Sequence, residues 1–172
     1  MGFGNWVEPF FDARKRGMTM TDNEREKIRI IVCRVDERTE VIEIEDSLKA
    51  MQEVVGGLIQ EYMPFEDEVA LIVNEEGKMT GLPLNRGIRN EKGRLQDIVA
   101  GDFFICYAPI ESERFLSMPQ DLEKKYKEMF DLPEMFMMDG RDIKAIKYEP
   151  GGRNNPVTMV RESGKMDTRF ER

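Results

Sequence analysis

KIRIIVCRVDERTEVIEIE, residues 27–45, decides the fold. Its first half is crowded with β-branched side chains, which are stiff in a helix and pack well on a pleated surface, so a strand is predicted at about 28–35. DERT, 36–39, has turn composition. TEVIEIE, 39–45, then alternates apolar and acidic residues with the period of two that a half-buried strand requires. The two strands form a hairpin.

Working outward, Asp46 offers a side-chain acceptor to the free amides of a following helix, in which Leu48, Met51, Val54 and Val55 recur at spacings of three and four. Gly56-Gly57 ends it. That helix is short and one-sided, so it must lie on a sheet. LIQEYM (58–63) and VALIVN (69–74) read as a second hairpin, joined by the turn PFEDE. DIVAGDFFICYAPI (97–110) reads as a strand with a break or bulge at Gly101. Ser117 with Gln120 resembles a capping box, Pro119 costs no hydrogen bond in a first turn, and Leu122, Tyr126, Met129 and Phe130 give an apolar stripe, placing a helix at about 118–131. A short strand is expected at 143–148. This order predicts an α+β fold: a mostly antiparallel sheet of about five strands with two helices packed on one side. Residues 1–26 are read as an N-terminal arm anchored by Trp6, Phe10 and Phe11, 27–138 as the α+β domain, and 139–172 as a partly mobile C-terminal extension.

Among 172 residues there is no histidine, which removes imidazole-dependent triads and zinc sites with histidine ligands. Cys33 and Cys106 cannot build a four-thiolate site, and both sit in apolar strand runs where a buried thiol is inert; a single disulfide between them stays formally open. No stretch approaches the roughly 20 apolar residues of a membrane span, and the first residues lack a basic head followed by an apolar run, so the expected location is the bacterial cytoplasm. Lysine and arginine number 26 against 34 aspartates and glutamates, a net −8 that argues against general nucleic-acid binding. Within this acidic chain residues 77–96 hold Lys78, Arg86, Arg89, Lys92 and Arg94 against the single acid Glu91.

That local excess falls in NEEGKMTGLPLNRGIRN, 74–90, read as a long glycine-punctuated loop at the end of a strand. Arg86 and Arg89 offer planar forks to phosphate or carboxylate, Lys78 a point charge, and Asn74 and Asn85 neutral donors and acceptors. Tyr107, or Phe103 or Phe104, could stack on a base. The ligand-binding candidates are therefore Asn74, Lys78, Asn85, Arg86, Arg89 and Tyr107. An ordinary turn with arginines paired to neighbouring carboxylates accounts for the same residues. No phosphate-loop fingerprint is present. A magnesium site from Asp97, Asp102 or Glu75 is conceivable, but no spacing singles it out, so no metal and no cofactor are predicted. The turn carboxylates lack the asymmetric surroundings that acid–base catalysis needs, so no catalytic residue is assigned. Met135, Phe136, Met137 and Met138 are either a cap on the core or a binding patch.

The segments VIEIEDSLKAMQEVVGG, IVNEEGKMTGLPLNR, DIVAGDFFICY and QDLEKKYKEMF make the stretch from Ile28 to Pro133 similar to the domain of unknown function 3846 family. The resemblance implies an origin in a phage or mobile element of bacteria and brings no activity. Taken with the loop chemistry, the expected function is non-enzymatic capture of an anionic small molecule of nucleotide type, such as a host defence signal. The alternative is an acidic inhibitor that binds a host protein directly by DNA-like charge mimicry. A homo-oligomer could assemble the site between subunits.

Overall fold

The computed structural model describes residues 26–151. In chain order the elements are β1 (Lys27–Cys33), β2 (Glu40–Glu45), α1 (Leu48–Val55), β3 (Ile59–Tyr62), β4 (Val69–Asn74), β5 (Leu84–Arg89), β6 (Leu95–Ala100), β7 (Phe103–Tyr107), α2 (Gln120–Phe130), β8 (Glu134–Asp139) and β9 (Asp142–Lys147). β1 and β2 form the expected hairpin, in register from Lys27↔Glu45 to Val32↔Glu40. On its other side β1 pairs with β7, which pairs with β4, which pairs with β3, all antiparallel. The result is an α+β fold with a five-stranded antiparallel sheet in the order β2-β1-β7-β4-β3.

The central strands carry consecutive apolar residues, at 30–33, 69–73 and 103–106, so both of their faces need cover. Ile28, Ile30 and Val32 of β1 join Phe104, Cys106, Ala70 and Ile72 under Met51 and Val55 of α1. The alternate residues Ile31 and Cys33 join Phe103, Ile105 and Leu71 under Tyr126 and Phe130 of α2. The two helices therefore lie on opposite faces, not on one side as the element order alone suggested. The α2 face is shared with a second small sheet, β5 with β6, which contributes Ile88 and Val99. β8 and β9 form a third sheet.

Local signals shift in instructive ways. Ser47, not Asp46, caps α1 by accepting the Ala50 amide at 3.1 Å, and Gly56 closes it in the left-handed region at φ 73°. Ser117 makes no capping box; its hydroxyl accepts the Arg29 amide at 3.0 Å, and α2 begins at Gln120. The break at Gly101 divides DIVAGDFFICYAPI into β6 and β7, which enter different sheets. Residues 84–89 are a strand rather than loop. Met135, Phe136 and Met137 are half-buried in β8 and Met138 is exposed. The thiols of Cys33 and Cys106 are buried on opposite faces of the sheet and unbridged. Burial pushes Cys33 up to about 12 and Cys106 well above its ordinary value. Trp6, Phe10 and Phe11 of the arm, and the extension beyond residue 151, lie outside the described residues. No helix among the described residues is long and apolar enough to cross a membrane.

Candidate functional site

Of the six sequence-derived candidates only Asn85 and Arg86 bond to each other, and each of the six has a partner within the fold. Asn74 ends β4, where its Oδ1 accepts the Glu76 amide at 2.9 Å and its Nδ2 donates to the Val55 carbonyl at 3.2 Å, tying the turn to the end of α1. This is turn chemistry. Lys78 pairs with Asp97 of β6 at 2.5 Å. Arg89 pairs at 2.5 Å with Glu134, whose other oxygen accepts the Gly87 amide at 2.6 Å, so one buried carboxylate binds β5 to β8. Tyr107, at the end of β7, donates its hydroxyl to Glu68 at 3.4 Å.

Asn85 and Arg86 point into the interior and are 1% and 0% exposed. Asn85 Nδ2 donates to the carbonyls of Cys33 at 2.8 Å and Gly101 at 2.9 Å, tying the end of β1 to the turn before β7. Arg86 donates through Nε to the Phe130 carbonyl at 2.9 Å. It also donates through Nη1 to the Arg34 carbonyl at 3.3 Å and to Asn85 Oδ1 at 2.5 Å, and through Nη2 to the Glu37 carbonyl at 2.6 Å. Among the described residues no carboxylate bonds it. Its charge faces the last residue of α2, where unpaired carbonyls and the helix dipole both favour a cation. Burial lowers its pKa, with nearby Cys33 and Glu134 opposing that shift. A guanidinium with its acceptors already supplied by the chain, and with no open surface, presents no fork to a ligand. Phe103 and Phe104 are likewise fully buried and offer no ring face for stacking. Lys78, Arg86 and Arg89 each hold a different partner within the chain.

The magnesium candidates are also dispersed. Asp102 accepts the Val35 amide at 2.8 Å, and Asp97 accepts both Lys78 and the amide of Ile98. Among the described residues no three acidic or cysteine side chains are grouped to hold a metal ion.

A concavity exists elsewhere. An open depression of about 610 Å³ is lined by Arg38 and Thr39 from the β1–β2 turn, by Lys124, Lys127 and Glu128 from α2, and by Asp131. Thr39 fastens the turn to the helix end: its amide donates to the Asp131 carbonyl at 3.1 Å, and its hydroxyl lies 3.4 Å from the Lys127 carbonyl and 3.2 Å from Asp131 Oδ1. Arg38 is held by Asp131 and by Glu149, the latter at 2.5 Å; its pKa is raised, chiefly by the hydrogen bond with Glu149. Lys124 and Lys127, one turn apart on an exposed helix face, have no acidic partner among the described residues. Their i, i+3 spacing was the only trace of this site in the sequence. Arg38 lies too far away along the chain to be linked to them by inspection.

A family description, domain of unknown function (DUF3846), matches residues 28–131. No curated protein and no solved structure matches the chain. The match spans the five-stranded sheet, both helices and the β5–β6 hairpin, and stops before β8. With most of its length and all of its central sheet inside that match, the chain belongs to the DUF3846 family.

Proposed function

We propose that this protein is a non-enzymatic binding protein that holds an anionic small molecule of nucleotide type in the depression between the β1–β2 turn and α2. The observation that carries the reading is the pair of ammonium groups, Lys124 and Lys127, with no acidic partner among the described residues, beside a guanidinium in a hollow. Residues 26–151 hold 17 basic and 27 acidic side chains, and Lys124 and Lys127 are exposed cations that line a hollow with no acid paired to them among the described residues. A volume of about 610 Å³ lies in the range of small-molecule sites. Asp131 and Glu149 fix Arg38 and offset its charge, so the attraction for an anion comes from Lys124 and Lys127. Glu128 and Asp131 oppose a highly charged guest and favour one with one or two negative charges.

The phage or mobile-element origin that the family resemblance implies directs the reading towards sequestration of a host signal in the bacterial cytoplasm. The test is thermal unfolding of the full chain with inorganic phosphate and with a panel of mono- and cyclic nucleotides. A guest at 100 times its Kd adds about 2.7 kcal/mol of stability. That gain should vanish in the Lys124→Glu/Lys127→Glu variant, whose fold is untouched because both side chains are exposed. No shift with any anion, or a shift that the variant retains, refutes the reading. A second reading, direct binding of a host protein by the acidic surface, is favoured by a different observation at the end of β7.

A further inference from the structure

Ile110 is 87% exposed and Leu116 41% exposed, and both stand beside Tyr107. Leu116 is an antiparallel bridge partner of Tyr107, with its amide donating to the Tyr107 carbonyl at 2.9 Å, so their side chains lie on the same side of the backbone. Glu68 draws in the third: Oε1 accepts the Ile110 amide at 3.0 Å and Oε2 accepts the Tyr107 hydroxyl at 3.4 Å. One carboxylate thus holds the Tyr107 hydroxyl and the Ile110 backbone, with Leu116 alongside Tyr107.

The rim is acidic. Glu111 follows Ile110 in the chain and Asp121 lies in the first turn of α2, and burial first, then the charges of Glu68, Asp121 and Glu111, raise the Tyr107 pKa. Glu111 and Asp121 are exposed and have no ion-pair partner among the described residues. The neighbouring bases are engaged elsewhere. Arg114 is held by Asp46 and Glu26, and Lys125 by Asp67.

We propose that this surface docks a basic, amphipathic segment of another protein, an aliphatic stripe set among lysines or arginines. Interfaces place apolar anchors at the centre and charge at the rim. A plain polycation would leave Ile110 and Leu116 in water, an uncharged apolar peptide would gain nothing from Glu111 and Asp121, and a second copy of this face would bring like charges together. The acidic rim speeds encounter with a basic segment and makes binding salt-sensitive. The inference is independent of the anion depression.

The test uses the full chain and a labelled synthetic Leu/Lys amphipathic helix in fluorescence anisotropy. The comparison peptides are its scrambled sequence and an oligolysine of equal charge. Binding of the amphipathic helix is expected to weaken at least about tenfold as NaCl rises from about 0.05 to 0.5 M, because screening shortens the reach of the rim charges. Ile110→Ser should weaken it about tenfold, equivalent to about 1.4 kcal/mol. Glu111→Gln/Asp121→Asn should remove most of the salt dependence. All three positions are exposed, so thermal midpoints should hold, and Lys124→Glu/Lys127→Glu should bind the peptide as wild type does. Equal binding of oligolysine, wild-type affinity in Ile110→Ser, or self-association of the chain that Ile110→Ser abolishes would each overturn the proposal.

Discussion

Replacing Arg86 by Met keeps a long apolar side chain in place of the guanidinium and removes every hydrogen bond it makes. Four acceptors lose their donor: the carbonyls of Phe130, Arg34 and Glu37, and Asn85 Oδ1. A buried acceptor stranded in this way costs about 1–3 kcal/mol. Two corrections lower the sum. The Nη contacts with Arg34 and Glu37 are only partly buried, so water can replace them, and a buried cation without a carboxylate carries a desolvation cost that disappears with it. What remains is the loss at Phe130 and Asn85, about 2–4 kcal/mol, which for a chain of this length is a fall in Tm of about 5–15 °C. Arg86→Lys keeps the charge but not the fork, and should recover less than half of the loss. Urea unfolding at neutral pH, with the m-value unchanged, reads both variants directly. The opposite pattern, Arg86→Met within about 0.5 kcal/mol of wild type but no longer stabilised by nucleotides, would show that Arg86 serves a ligand and that its internal bonds are incidental.

Other outcomes follow from close contacts and from charge. A Cβ at Gly77 would lie 2.7 Å from the Ala100 carbonyl oxygen, a backbone atom that cannot step aside. Gly77→Ala should therefore cost about 1–3 kcal/mol by forcing the β4–β5 connection away from β6, and an unfolding midpoint equal to wild type would contradict the packing. Asp67 is held below its ordinary 3.8, first by its hydrogen bond with Lys125 and then by that with Tyr126. A lowered carboxylate stabilises the fold above its unfolded pKa and loses that contribution as pH falls through the folded value. The stability gap between wild type and Asp67→Asn should stay constant from neutral pH down to about 5 and close below 3.8. A gap unchanged in acid would mean that Lys125 and Tyr126 contribute nothing.

The strands of the central sheet were legible in the sequence, though their order was not. The runs at 28–33, 69–74 and 103–107 are strands because β-branched and aromatic side chains are dense there, and the hairpin of 27–45 follows from the switch to alternation after DERT. Both helices were legible from apolar spacing, which depends only on neighbours three and four residues away. Tertiary structure decided the rest. Which face each helix covers could not be read, because IIVC and FFIC are apolar at consecutive positions and so are indifferent to side. β5 was hidden because Leu-Asn-Arg-Gly-Ile-Arg has little strand propensity of its own; it is a strand because Arg86 and Asn85 find acceptors on β1, α2 and the β6–β7 turn. For the same reason the basic loop misled. A formal charge can be counted along a chain, but whether it faces solvent or a helix end depends on distant residues: Phe130 is 44 positions from Arg86 and Arg34 is 52. The depression at Arg38, Lys124 and Lys127 is the converse: its cations come from distant segments, and only folding sets them around one hollow.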